Sequence, residues 1–379
     1  MTDPALPCES APPRETALAD RHRALGASFT DFGGWSMPVR YSSDLAEHHA
    51  VRSAAGLFDI SHMAEFAVDG PGAGALLDHA LAGRLSTLPV GKAKYSLLLA
   101  ESGGIVDDLI VYRLAEDSFF VVANAGNRAP VAEALRARSA GFDGTVTDVT
   151  DEYALIAVQG PSARTILEQT AGLAARTRPL EDLPYYASAE GSFRGARVLI
   201  ARTGYTGEDG FELYIEPSRA EELWDALTEA GAPHGLVPAG LAARDTLRLE
   251  AGMPLYGHEL SLEVLPVQVG LGRVVAVDKA EFVGKAALES VVATDAPVLV
   301  GLVSDGRRAG RAGYAVVDAD GATVGTVTSG ALSPTLGHPI AMALVAPTHA
   351  TAGTELALDV RGTRIPATVT ELPFYRRTK

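Results

Sequence analysis

Between residues 62 and 150 the hydrophobic and polar positions alternate between strand and helix rhythms. Residues 63–68 read as a strand, and after Gly70-Pro71 the apolar positions Leu76, Leu77 and Leu81 fall at helical spacing. Strand-like runs at 94–100, 105–114 and 119–124 are separated by Glu-Ser-Gly-Gly (101–104) and Ala-Glu-Asp-Ser (115–118), which are turn compositions. The pattern then predicts a helix over 127–139 and a strand over 144–149. Upstream, Leu18, His22 and Leu25 share one face of a short helix ending at Gly26, and 29–60 reads as loop plus short helix.

The same order then recurs. Ala67-Val68-Asp69-Gly70-Pro71 is echoed by Ala157-Val158-Gln159-Gly160-Pro161, and Leu76-Leu77 by Ile166-Leu167. In both copies proline is expected at the first helical position, where its missing N–H costs nothing. Strands at 194–202 and 210–215 and a helix at 218–230 complete a second mixed unit, so two α+β units related by duplication are expected. After about residue 260 the helical rhythm fades. Short apolar runs at 298–303, 314–317, 322–328, 340–345, 355–360 and 364–370 suggest a compact β-barrel or sandwich, with a boundary near 260–275.

Composition narrows the function classes. The 379 residues allow two or three domains of roughly 150 residues each. Asp plus Glu number 47 against 32 Lys plus Arg, a formal charge of −15, which argues against nucleic acid or an anionic membrane as main partner. No apolar run approaches the ~18 residues of a bilayer span. The single cysteine, Cys8, excludes an internal disulfide, a CxxC redox pair and a thiolate zinc site. It sits in a proline-rich stretch over 1–14 that lacks the pattern of a secretory or mitochondrial leader and reads as a disordered tail of a cytoplasmic protein.

Several motifs carry candidate chemistry. Gly70-Pro71-Gly72-Ala73-Gly74-Ala75 has the form of a dinucleotide fingerprint. Against it, no Asp or Glu lies between 79 and 100, and the echo at 159–164 loses the glycines. Glu47-His48-His49 cannot chelate one metal from one helix face, and no metal site is expected. His62 is read as a structural histidine. Gly204-Tyr205-Thr206-Gly207-Glu208-Asp209-Gly210 is a hairpin or a loop lining a site. Arg244 and Arg248 lie at i,i+4 on an amphipathic helix, either as a surface ion-pair network or as a clamp for a carboxylate.

Asp107-Asp108 is the most informative pair. It opens a strand, where Asp is depleted, and period 2 puts Asp108, Ile110 and Tyr112 on one face and Asp107, Leu109 and Val111 on the other. A turn-capping pair is one reading. The other is a carboxylate held over a flat, nitrogen-bearing ligand, able to orient an amine or stabilise positive charge on nitrogen.

Taken together, the motifs resemble one family. They include Asp31-Phe32-Gly33-Gly34-Trp35, Phe58-Asp59-Ile60-Ser61-His62-Met63, Lys94-Tyr95-Ser96, Gly103-Gly104-Ile105-Val106-Asp107-Asp108 and Arg202-Thr203-Gly204-Tyr205-Thr206-Gly207-Glu208. The run from Ala243 to Gly252, then Thr328-Ser329-Gly330, Ser333-Pro334-Thr335-Leu336-Gly337 and Phe374-Tyr375-Arg376 follow in the same order. The sequence from about 16 to 376 resembles the T-protein of the glycine cleavage system, the tetrahydrofolate-dependent aminomethyltransferase. The resemblance implies a three-domain, cloverleaf-like arrangement of two α+β domains and a C-terminal β-barrel domain. The expected division is a tail over 1–14, a first α+β domain over 15–57 plus 151–260, a ferredoxin-like α+β domain over 58–150 and the barrel over 261–379.

The resemblance also implies tetrahydrofolate as co-substrate and the lipoylated H-protein as partner, with Asp108 as the catalytic aspartate. It places Met63, Tyr95, Tyr112, Asn124, Tyr205 and Glu212 in the folate pocket, and Arg244 and Arg376 near the folate tail. Departures from the family pattern cluster over 258–273, where His258-Glu259-Leu260-Ser261 and Arg273 replace commoner residues, and Ala242 stands at a usual glycine. A folate-dependent demethylase of a small methylated compound and a non-catalytic folate-binding protein are the alternatives.

Overall fold

A computed structural model describes residues 12–290 and 295–377. Cys8 and most of the expected tail lie outside the described residues. Arg14, placed at the end of that tail, is bonded into the fold: its N–H donates to Gly34 O at 2.8 Å, and its guanidinium lies 4.3 Å from the Trp35 ring.

One antiparallel sheet has five strands in the order Ala93–Leu99, Ile105–Ala115, Ser118–Ala123, Ala64–Asp69 and Thr145–Asp148. Helices Ala73–Ala80 and Arg128–Arg138 cover one face through Leu76, Leu77, Val131 and Leu135, all fully buried. A second sheet has seven strands in the order Leu173–Ala175, Ser188–Phe193, Ala196–Ala201, Gly210–Ile215, Ala154–Gln159, Ala55–Asp59 and Leu236–Pro238. Helices Ala163–Gln169 and Ala220–Gly231 pack on it, with Trp224 in that core. The uncovered faces meet in a third core containing Phe58, Tyr112, Phe120 and Tyr214. Each sheet thus buries both faces, which removes most of their apolar surface from water.

Residues from Val298 to Thr370 form a closed barrel of six strands. Pairing of Val298–Ser304 with both Pro339–Val345 and Thr363–Thr370 closes it and leaves no edge to aggregate. Mixed helix and sheet with a C-terminal barrel is the expected class.

Several local expectations need correction. Residues 29–60 hold more strand than the pattern shows: a hairpin of Ser28–Phe32 and Trp35–Arg40, helix Asp44–Ser53, then strand Ala55–Asp59. The last is buried at every position, so it carries no alternation to read. Strand Ser188–Phe193 also went unread. The prolines of the repeated turn sit before the helices, which begin at Ala73 and Ala163. Each turn closes on a bond from Ala73 N–H to Gly70 O (2.9 Å) or Ala163 N–H to Gly160 O (3.0 Å), with proline at its second position. Gly70 and Gly160 have φ of 124° and 133°, and a Cβ at either would strike backbone within 2.7 Å.

Candidate active site

A cavity of about 280 Å³ opens where the two sheets, helix Leu241–Glu250 and the segment after that helix converge. Asp108, Leu109 and Ile110 line it from strand Ile105–Ala115, Asp108 and Ile110 on the face that period 2 assigns them. Tyr95 comes from the neighbouring strand, and its hydroxyl donates to Asp108 Oδ2 at 3.0 Å. Asn124 Nδ2 donates to Asp108 Oδ1 at 2.8 Å and to Asp107 Oδ1 at 2.8 Å, so one amide joins the two carboxylates. Asp107 points the other way, fully buried, and also accepts from Asn127 Nδ2 at 2.7 Å. Burial, and then the neighbouring Asp108, push the Asp107 carboxyl up to about 7. Burial raises Asp108 as well, against the bonds from Tyr95 and Asn124.

The facing wall is built by the second sheet and its helix. Glu212 Oε2 accepts from the Thr203 hydroxyl at 2.5 Å. Burial raises the Glu212 carboxyl, opposed by that bond and by Arg244. The Arg244 guanidinium lies 4.9 Å from the Tyr205 ring, with no side-chain hydrogen bond or ion pair among the described residues. Tyr205 donates to Pro254 O at 2.5 Å, tying the glycine-rich loop to the segment Met253, Pro254, Leu255 that also lines the cavity. Gln159 braces the same loop by donating to Thr203 O at 3.1 Å. The loop therefore lines the site.

Seven of the residues expected in the site line the cavity: Met63, Tyr95, Asp108, Asn124, Tyr205, Glu212 and Arg244. Tyr112 does not. Its face of the strand is right, but it is fully buried against Phe120 and Tyr214, and of these Tyr214 lines the cavity. Arg376 is exposed and outside the cavity lining, because its neighbours dock instead: Tyr375 stacks on Arg52 at 4.1 Å, and Arg377 lies 3.4 Å from Asp209.

The structure adds residues that the sequence reading missed. His62 lines the cavity edge-on to Phe32, and its Nδ1 is buried with no hydrogen-bond partner. Burial and then Arg244 lower it to about 4, so it is neutral at pH 7. Tyr186 lines the wall at φ 56°, a left-handed conformation that costs a bulky residue energy and concentrates at functional sites. The Tyr185-Tyr186 pair beside Pro184 was the signal available for it.

Such a cavity suits a flat ligand with several N–H donors and an anionic end. Asp108 and Glu212 offer acceptors, Tyr95, Tyr186 and Tyr205 offer ring surface, and Arg244 offers a cation with no side-chain hydrogen bond or ion pair among the described residues.

Residues 18–279 match the family model described as GCVT N-terminal domain, and 298–376 match the glycine cleavage T-protein C-terminal barrel domain. The chain belongs to the glycine cleavage T-protein family. Aminomethyltransferases of Cutibacterium acnes and Streptomyces avermitilis are 57% and 56% identical to it, over 96% and 97% of this chain and 99% of each relative. The crystal structure of glycine cleavage system aminomethyltransferase T from Bartonella henselae superposes with a TM-score of 0.89 at 38% identity, covering 97% of this chain and 99% of that one. The protein is accordingly an aminomethyltransferase of the glycine cleavage system, and the three-lobed fold expected for the family is the fold observed. The departures at 258–273 fall beside the cavity. His258 Nδ1 meets Thr328 O at 2.9 Å, buried Glu259 accepts from Arg248 at 3.0 Å, and Arg273 is exposed on a cleft that shares Gly252, Pro254 and Leu271 with the cavity.

Proposed function

We propose that this aminomethyltransferase moves the methylene of an aminomethyl group from the lipoyl arm of H-protein to tetrahydrofolate. The carbon–sulfur and carbon–amine bonds of the donor break, two folate nitrogens bond the methylene, and their two hydrogens leave as protons, one to the sulfur and one to the amine that departs as ammonia. No oxidant or reductant is needed. Tetrahydrofolate supplies the two accepting nitrogens.

The observation that carries this reading is the placement of Asp108. Its carboxylate is held by Tyr95 and Asn124 in the same cavity as Glu212 and Arg244. From there Asp108 can orient an amine and stabilise positive charge that develops on nitrogen. Glu212 can accept from amino and ring N–H groups, and Arg244 can meet a carboxylate. Met63, Tyr95, Asn124 and Tyr205 complete the proposed folate pocket. Arg376, outside the cavity, can meet only a tail that leaves it. Holding donor and acceptor in one cavity removes much of the entropic barrier.

The proposed lobes keep the divisions given above, although the division at 57/58 passes through strand Ala55–Asp59. Among the described residues no helix is long and apolar enough to cross a membrane. A cytoplasmic setting with H-protein as partner belongs to the same proposal. Single-turnover transfer from aminomethylated H-protein tests it. Ammonia and methylenetetrahydrofolate are expected together, only when tetrahydrofolate is present. Ammonia release that ignores folate would overturn it.

A further inference from the structure

Tyr112 is the feature that the cavity leaves unexplained. It is a fully buried tyrosine on the Asp108 face of its strand, yet it does not reach the cavity. Its hydroxyl lies 2.9 Å from Thr203 Oγ1, and Thr203, also fully buried, bonds Glu212 Oε2 at 2.5 Å. The Tyr214 hydroxyl donates to the Tyr112 hydroxyl at 3.4 Å.

Proton counting gives this chain a direction. Thr203 has one hydroxyl proton. When Glu212 is ionised it can only accept, so Thr203 donates to it. Thr203 Oγ1 must then accept from Tyr112, and Tyr112 in turn accepts from Tyr214. The chain occupies Glu212 Oε2, while Oε1 has no hydrogen bond among the described residues and belongs to a residue lining the cavity. Reversing the chain would need a protonated Glu212 and the rotation of each hydroxyl. A buried hydrogen-bonded chain of this kind polarises along its length.

We propose that Tyr112 is a positioning residue acting through Thr203: the two hydroxyls hold Glu212 as an oriented, ionised acceptor whose free oxygen reads the ligand's N–H groups. This inference rests on the folate reading for the identity of the ligand, but the relay itself does not. The charged and titratable groups facing Glu212 are Arg244 from helix Leu241–Glu250, Tyr112 from the first sheet, Tyr214 from its own strand, and Tyr185 and Tyr186 from the preceding loop. The Thr203 bond favours the ionised form, then Arg244, and the Tyr112 hydroxyl adds to both. Losing the relay leaves burial less opposed, so Glu212 takes up its proton at higher pH.

The test is equilibrium binding of 5-formyltetrahydrofolate, a stable probe, to full-length protein across about pH 5 to 8. Y112F and T203V are each expected to weaken binding about 5-fold at neutral pH and to move the acid limb of the binding curve to higher pH. T203S should restore both. In turnover KM should rise with kcat nearly unchanged. In an E212Q background Y112F should cost less than about 2-fold, because its effect passes through Glu212. An equal loss in both backgrounds, or an unmoved acid limb, would overturn the relay. Failure of the unaltered protein to bind the probe would instead count against the folate reading. The relay would then be judged by the carboxyl-carbon NMR titration of Glu212, assigned by its loss in E212Q: Y112F must raise its midpoint, and an unchanged midpoint would overturn it.

Discussion

Asp107 and Asp108 are adjacent in sequence and opposite in surroundings. Alternation sends Asp108 into the cavity and Asp107 into a buried nest of amide donors, where burial pushes its carboxyl up to about 7. That separation was legible in the strand period. Tyr112 shows where the period stops informing: it shares the face, but Tyr214, arriving from the other sheet, packs against it and lines the cavity. Asp108→Asn is expected to lower the single-turnover rate about 100-fold while folate binding changes by less than about 3-fold, since the shape is kept and the charge is lost. Rapid-quench measurement beside a binding titration checks this, and an unchanged rate would reduce Asp108 to a structural residue.

At the level of elements, the strands that were read correctly are those with one polar face or flanking turns. Ala55–Asp59 was missed because it is buried at every position and pairs between two other strands. The Gly103-Gly104 turn was visible in the sequence, but its purpose was not. A Cβ on Gly104 would lie 1.8 Å from Leu262 O, where the segment leading to the barrel presses on the strand carrying Asp108. The Ile105 N–H donates to Ser261 O at 3.0 Å across this contact. Gly104→Ala must therefore displace backbone, and urea unfolding is expected to show a loss of about 2 kcal/mol. A loss below about 0.5 kcal/mol would mean that the segment yields freely.

Across the whole molecule one buried cluster ties the lobes together. Glu250 accepts from Arg52 at 2.8 Å and from Ser333 and Thr335 of the barrel lobe at 2.5 and 2.8 Å. Arg52 also reaches Glu208 of the site loop at 2.9 Å and stacks under Tyr375. Burial alone would raise the Glu250 carboxyl, but bonds from His48, Ser333 and Arg52 outweigh it and hold it at about 2. An unfolded glutamate titrates near ~4.3. The ionised form therefore stabilises the fold above that value, and the contribution fades as pH falls towards about 2. Glu250→Gln is expected to cost about 3 kcal/mol at neutral pH, with the gap to the unaltered protein narrowing in acid. Denaturant unfolding at several pH values checks both, and a gap that stays constant into acid would show that charge is not what holds this joint.

By itself the sequence determined most elements of the five-stranded sheet, the run of short C-terminal strands, the face on which Asp108 lies and the family. These follow from local periodicity and from motifs whose residues are close in the chain. Only the tertiary structure decided that Tyr112 stands behind the cavity, that Arg376 stands outside it, that His62 and Tyr186 line it, and that Glu250 joins the lobes. Each of those depends on which distant residue occupies the neighbouring space, and no local pattern records that.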